Sequence, residues 1–127
     1  MTTKENILDY VAARINQYEV TPIYEILLFV NPNTELYSKT GKPLGFPDLG
    51  GSDMPGFYYN IQDAIDAMHE NACDIRECTY SAGFVLCRFP GLYESAGTKE
   101  RMYFVWDDEK GGFYEQEEPE IFQHVAY

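Results

Sequence analysis

The sequence predicts an α+β domain: a mainly antiparallel sheet of four or five strands with two helices packed on one face. Three observations carry this reading. Amphipathic helical periodicity occurs over Lys4–Tyr18 and again over Ile61–Ala72. An apolar run of strand length follows each of them. After the second helix the strands succeed one another without an intervening helix, a pattern that disfavours a doubly wound nucleotide fold. At 127 residues and 45% hydrophobic, the chain suits a single domain over 1–127.

Ile7, Leu8, Val11, Ile15 and Tyr18 recur at three- and four-residue steps, and Thr3 stands where an N-cap belongs. Thr21-Pro22 ends this helix, because proline lacks an amide hydrogen and disfavours helical backbone at the residue before it. Ile23–Val30 is nearly continuous in apolar side chains, with Glu25 as the interruption, which suggests a central strand. The 31–55 segment is a long loop rich in Gly and Pro, within which Ser38-Lys39-Thr40-Gly41-Lys42 suits a local hairpin turn. Its Tyr37, Phe46 and Leu49 are apolar anchors in a polar loop, suited either to binding or to covering a core.

Asn60 opens the clearest element. It is a good N-cap, Asp63 sits in the first turn near the positive helix end, and Ile61, Ala64, Ile65, Met68 and Ala72 form one apolar stripe. Asp63, Asp66 and Glu70 lie on the opposite face. Thr79–Phe89 reads as a strand with Phe84-Val85-Leu86-Cys87 as its buried centre and Pro90-Gly91 as its stop. Arg101–Trp106 is another strand, and Phe113-Tyr114 returns from the Asp107–Gly112 loop to make a β-hairpin. Glu118-Pro119 can start a final helical turn through Val125, with proline at the first helical position.

Charge narrows the partners. Nine Lys and Arg face 21 Asp and Glu, giving a formal charge of −12, and 14 of those carboxylates follow Asn60. Seven of them crowd the acidic hairpin and tail at 107–120. Binding nucleic acid through phosphates needs clustered cations, so no direct nucleic-acid contact is expected, and anionic membrane surfaces are disfavoured likewise. No stretch reaches the roughly 18 uncharged apolar residues of a membrane span. Met1 to Asn6 has a charged start without a following apolar segment, so no secretory signal is expected. Three cysteines, an odd number, suit free thiols and a cytoplasmic location.

No constellation carries catalysis. His69, Cys73 and Cys78, with His124 as a distant fourth, lack the spacing of a zinc site, so no metal and no cofactor is expected; the plainer reading is a solvated histidine beside thiols. A Cys73 or Cys87 nucleophile has no sequence marker for its base or oxyanion hole. Paired carboxylates are abundant, but solvated faces and caps account for them better than a sugar cleft does. Gly50-Gly51-Ser52-Asp53 lacks the lysine of a phosphate-binding loop.

Two binding readings remain. In the first, Asp107, Asp108, Glu109, Glu115, Glu117 and Glu118, with Phe113 and Tyr114 as aromatic anchors, imitate a nucleic-acid backbone and occupy a basic groove on a partner protein. Against it stands an ordinary acidic loop. In the second, Arg76, Arg88 and Arg101 meet the phosphates of a small nucleotide signal while aromatic rings stack its base.

From Gly56 to Pro119, Ala64, Asn71, Asp74, Glu77, Tyr80, Gly91-Leu92-Tyr93 and Trp106-Asp107 form a pattern that resembles small acidic proteins carried by phages and mobile elements of gut bacteria. The resemblance implies no catalytic residues. It implies a non-enzymatic accessory protein that binds and inhibits a host defence protein, such as a CRISPR nuclease, or a sponge that sequesters a nucleotide immune signal.

Overall fold

The computed structural model describes residues 2–29, 55–78, 80–91 and 100–119. The 31–55 loop, apart from Pro55, and the terminal turn expected from Glu118 through Val125, apart from Glu118 and Pro119, lie outside them. The elements are α1 (Lys4–Tyr18), β1 (Ile23–Phe29), β2 (Phe57–Tyr58), α2 (Ile61–Glu70), α3 (Ala72–Glu77), β3 (Ala82–Arg88), β4 (Arg101–Asp107) and β5 (Gly112–Gln116).

Helix α1 starts in a reciprocal cap. The Asn6 amide donates to Thr3 Oγ1 at 3.3 Å, and the Thr3 amide donates to Asn6 Oδ1 at 3.0 Å, so asparagine fills the place usually held by Glu or Gln. The helix ends at Glu19, whose left-handed φ of 56° lets its amide reach the Ile15 carbonyl at 2.8 Å. Only part of the expected stripe is covered: Ile7 and Val11 are buried, whereas Leu8 is 41% and Ile15 39% exposed. Leu8 and Ile15 project about 80–100° around the helix from Ile7, beyond the contact line with the sheet.

Helix α2 is capped by the Asn60 side chain, which accepts from the Gln62 amide at 2.8 Å. Its whole expected stripe is buried: Ile61, Ala64, Ile65 and Met68, followed by Ala72 in α3. The helix expected over Ile61–Ala72 is interrupted at Asn71. There the side-chain amide donates back to the Ala67 carbonyl at 2.7 Å, competing with the backbone for the same acceptor.

The sheet runs β2-β1-β3-β4-β5, with every neighbouring pair antiparallel. Strand alternation then sorts the side chains. Tyr24, Ile26, Leu28, Val85, Cys87, Met102, Phe104 and Phe113 join the helices in one core. Leu27, Phe29, Ala82, Phe84, Leu86 and Tyr103 form a second buried cluster on the other face. Strands β1 and β3 are therefore buried on both faces, which explains their near-continuous apolar runs. Gly83 lets α2 approach β3 closely: a Cβ there would stand 3.1 Å from both Met68 Cε and Leu28 Cδ2. The α+β architecture expected from the sequence is the one found, with the helices on one face of an antiparallel sheet.

Candidate functional site

The acidic hairpin forms, with Asp107 opposite Gly112. Its acids do not make one surface. The Asp107 carboxylate accepts the Glu109 and Lys110 amides at 2.9 and 3.0 Å, and the Gly111 amide closes the turn on the Asp107 carbonyl at 2.8 Å. Gly111 has a φ of 68°, left-handed backbone that glycine adopts without a Cβ clash. Asp108 accepts the Trp106 indole N–H at 2.9 Å. Glu118 holds Arg101, whose Nε and Nη2 both donate to Oε1, the Nε bond being 2.9 Å long. That guanidinium is almost wholly buried and lies 4.6 Å from the Phe84 ring centroid.

Alternation along β5 divides the remaining residues. Phe113 is fully buried, edge-on to Trp106 at 5.5 Å, so it belongs to the core and drops out as an exposed anchor. Glu115 pairs with Phe104 on the helix side of the sheet and is half-buried. Its Oε2 is buried without a hydrogen-bond partner, and burial, then the nearby Glu5 carboxylate, raises its pKa. Tyr114 projects from the opposite face, 40% exposed, with Lys110 Nζ 4.7 Å from its ring centroid. Glu109 and Glu117 are the acids of this set that are exposed and make no side-chain bond among the described residues.

The three arginines are not gathered into one site. Arg76 is exposed on α3, in the helix layer. Arg88 and Arg101 lie on the sheet face away from the helices, and each already holds a carboxylate: Arg88 Nε donates to Glu25 Oε2 at 2.6 Å, and Arg101 to Glu118. Glu25 is 7% exposed, so the acid that interrupts the apolar run of β1 is a buried ion-pair partner.

A different surface emerges at the β2–α2 corner. Phe57 is 71% and Tyr59 85% exposed, while Tyr58 between them turns inward against the core. Beside Tyr59 is a hollow of about 360 Å³ lined by Lys4, Leu8, Tyr24, Asn60, Ile61 and Gln62. Burial, with a smaller contribution from Cys87, pushes the Tyr24 phenol up to about 12. A second hollow, about 250 Å³, lies between β1 and the α2–α3 layer, with Asp74, Tyr58 and Tyr80 among its lining residues. On α2, Asp63, Asp66 and Glu70 are exposed. Sequence reasoning passed over the corner, although a Phe-Tyr-Tyr run read as a strand sends its first and third rings to the same side.

His69 is exposed and meets the Phe104 ring edge-on at 6.0 Å; Cys73 and Cys78 are exposed, and Cys87 is buried in the sheet. Among the described residues no three His, Cys, Asp or Glu side chains are grouped to hold a metal, and no helix is long and apolar enough to cross a membrane. No protein-family model, curated protein or solved structure matches the chain.

Proposed function

We propose that this chain is a non-enzymatic binding protein that occludes a basic surface on another protein. The observation that carries the reading is the pair of exposed rings at the β2–α2 corner, Phe57 at 71% and Tyr59 at 85%, in a chain whose exposed acids include Asp63, Asp66 and Glu70 of α2. Exposed aromatic rings are the side chains that contribute most when an interface desolvates them, and surrounding carboxylates select and steer a cationic partner. The formal charge of −12 extends that attraction over the whole chain. The resemblance over Gly56–Pro119 to proteins of phages and mobile elements supports a host defence protein as the partner, one whose basic groove takes nucleic acid. Three free thiols suit work in a reducing cytoplasm. Phe57 and Tyr59 anchor the contact, while the exposed acids Asp66, Glu70, Glu109 and Glu117, with Tyr114 of the hairpin, draw the partner in. A nucleotide sponge is the weaker reading, because Arg88 and Arg101 would have to leave Glu25 and Glu118 to meet phosphates.

The test is capture from a phage-infected host with the immobilised chain and two variants, Phe57→Ala/Tyr59→Ala and Asp66→Lys/Glu70→Lys. The expected result is a basic protein retained by the wild type, lost from the aromatic variant, and released from the wild type as salt is raised. Equal retention of that protein by both variants overturns the reading.

A further inference from the structure

We propose that the hollow between β1 and the α2–α3 layer is a socket for a lysine side chain of the partner protein, an inference that rests on the binding reading above. Its floor is apolar: Ile26 and Leu28 from the sheet are 1% and 3% exposed, and Ile75 of α3 is 9% exposed. Tyr58 and Tyr80, both half-buried against the core, supply aromatic walls. At the rim stands the exposed carboxylate of Asp74, the one formal charge among the described lining residues at neutral pH. Asn71 also lines the hollow, and because its amide nitrogen is held by the Ala67 carbonyl at 2.7 Å, its Oδ1 is left as an acceptor.

This combination selects its occupant. A small anion meets an acid and finds no cation among these lining residues. A purely apolar side chain leaves Asp74 desolvated without a counter-charge, which is unfavourable. A lysine satisfies both parts, since its four-carbon stem packs along the apolar floor while the compact ammonium, with three donors, meets the carboxylate, the Asn71 oxygen and the tyrosine ring faces. The hollow is about 250 Å³, room for one extended side chain and not for a folded segment. The acidity of the chain favours the same sign of partner.

Two thiols make the test internal. Cys78 lines the hollow, whereas Cys73, also exposed, does not. Alkylation by neutral iodoacetamide, read at each cysteine by peptide mass spectrometry, is followed with Nα-acetyl-lysine methylamide as the probe. Its Nε-acetylated, uncharged counterpart and n-butylammonium serve as the other arms, all at matched ionic strength. At a probe concentration twice its Kd, mass action leaves about one-third of the sockets open, so Cys78 should react about threefold more slowly while Cys73 is unchanged. The uncharged counterpart should give no protection, and Asp74→Asn should abolish it.

Equal slowing at both cysteines, equal protection by the uncharged counterpart, or protection that persists in Asp74→Asn overturns the socket. Protection by n-butylammonium without protection by the lysine probe also overturns it, in favour of a site for a free small amine. The Phe57→Ala/Tyr59→Ala variant separates this proposal from the one beneath it: it should lose the captured partner and keep Cys78 protection. A socket that fails while that variant still loses the partner leaves the binding reading standing. Cys78 protection in a wild-type chain that captures no partner removes the partner protein as the source of the lysine.

Discussion

The β4–β5 hairpin is crowded with charge and commits most of it to its own fold, whereas the β2–α2 corner from Phe57 to Gln62 carries no charge and presents two rings to solvent. In the hairpin Asp107 holds the turn, Asp108 holds the Trp106 indole, Glu118 holds Arg101 and Glu115 faces the helix layer. At the corner a two-residue strand half-buries Tyr58 and leaves Phe57 and Tyr59 with most of their area in water. Density of charge in a sequence is therefore a poor guide to the charge a partner can reach. A carboxylate near a turn, an indole or a buried guanidinium is drawn into local hydrogen bonds, and period-two alternation decides the rest.

The largest expected effect sets the two regions directly against each other. Phe113 is fully buried against Trp106, so Phe113→Ala should lower stability by about 3–5 kcal/mol in denaturant unfolding. Phe57→Ala and Tyr59→Ala, which remove rings already in water, should each change it by no more than about 0.5 kcal/mol. A loss at the corner comparable to that at Phe113 would mean the corner rings support the fold, and the contrast would collapse.

Next in size is the ion pair at the base of the hairpin. Glu118→Ala takes a carboxylate away from the buried Arg101 guanidinium, whose place over the Phe84 ring remains. A cost of about 2 kcal/mol is expected, below the full penalty for orphaning a buried charge because Glu118 itself is partly exposed. Glu117→Ala, one residue away and exposed, should stay within about 0.5 kcal/mol. Equal effects at the two positions would return the tail to the status of a uniform acidic surface.

The fold was legible because burial on this sheet follows simple periods. The stripe Ile61, Ala64, Ile65, Met68 and the block Phe84-Val85-Leu86-Cys87 could be read directly, and all eight residues are buried. Glu25 was visible as the one acid in the β1 run, but its partner Arg88 lies 63 residues away, and nothing local announces such a pair. The helix break at Asn71 depends on one side-chain amide competing for the Ala67 carbonyl, which no propensity sum registers. The candidate site was less legible than the fold. The hairpin's charge was plain, yet its internal use depends on Trp106 and Arg101 being brought beside it. The exposed corner depends on the register Tyr24 to Tyr58, which turns one tyrosine of the run inward.

The smallest effect probes the one hairpin acid that is turned inward without a bond. Burial first, and the Glu5 carboxylate second, raise the Glu115 pKa above its unfolded value. Between the two values the folded chain holds more protons than the unfolded one, so stability falls as pH rises through that window and regains nothing above it. Glu115→Gln should remove this slope and stabilise the chain at neutral pH by less than about 1 kcal/mol, since the half-buried group is still partly screened by solvent. Glu5→Gln should remove only the smaller part of the slope, and Glu117→Gln none of it. The measurement is urea unfolding of each variant at several values from pH 4 to 7. Destabilisation by Glu115→Gln at pH 7 would mean that the charged carboxylate is held favourably, as Asp107 and Glu118 are. A strand at the edge of a sheet gains by keeping such a charge: an inward-turned carboxylate penalises any strand that would pair there by desolvating it further. The modest cost at Glu115 thus sharpens the contrast with the corner, whose own segment from Phe57 to Gln62 holds no charge and whose aromatic rings favour contact.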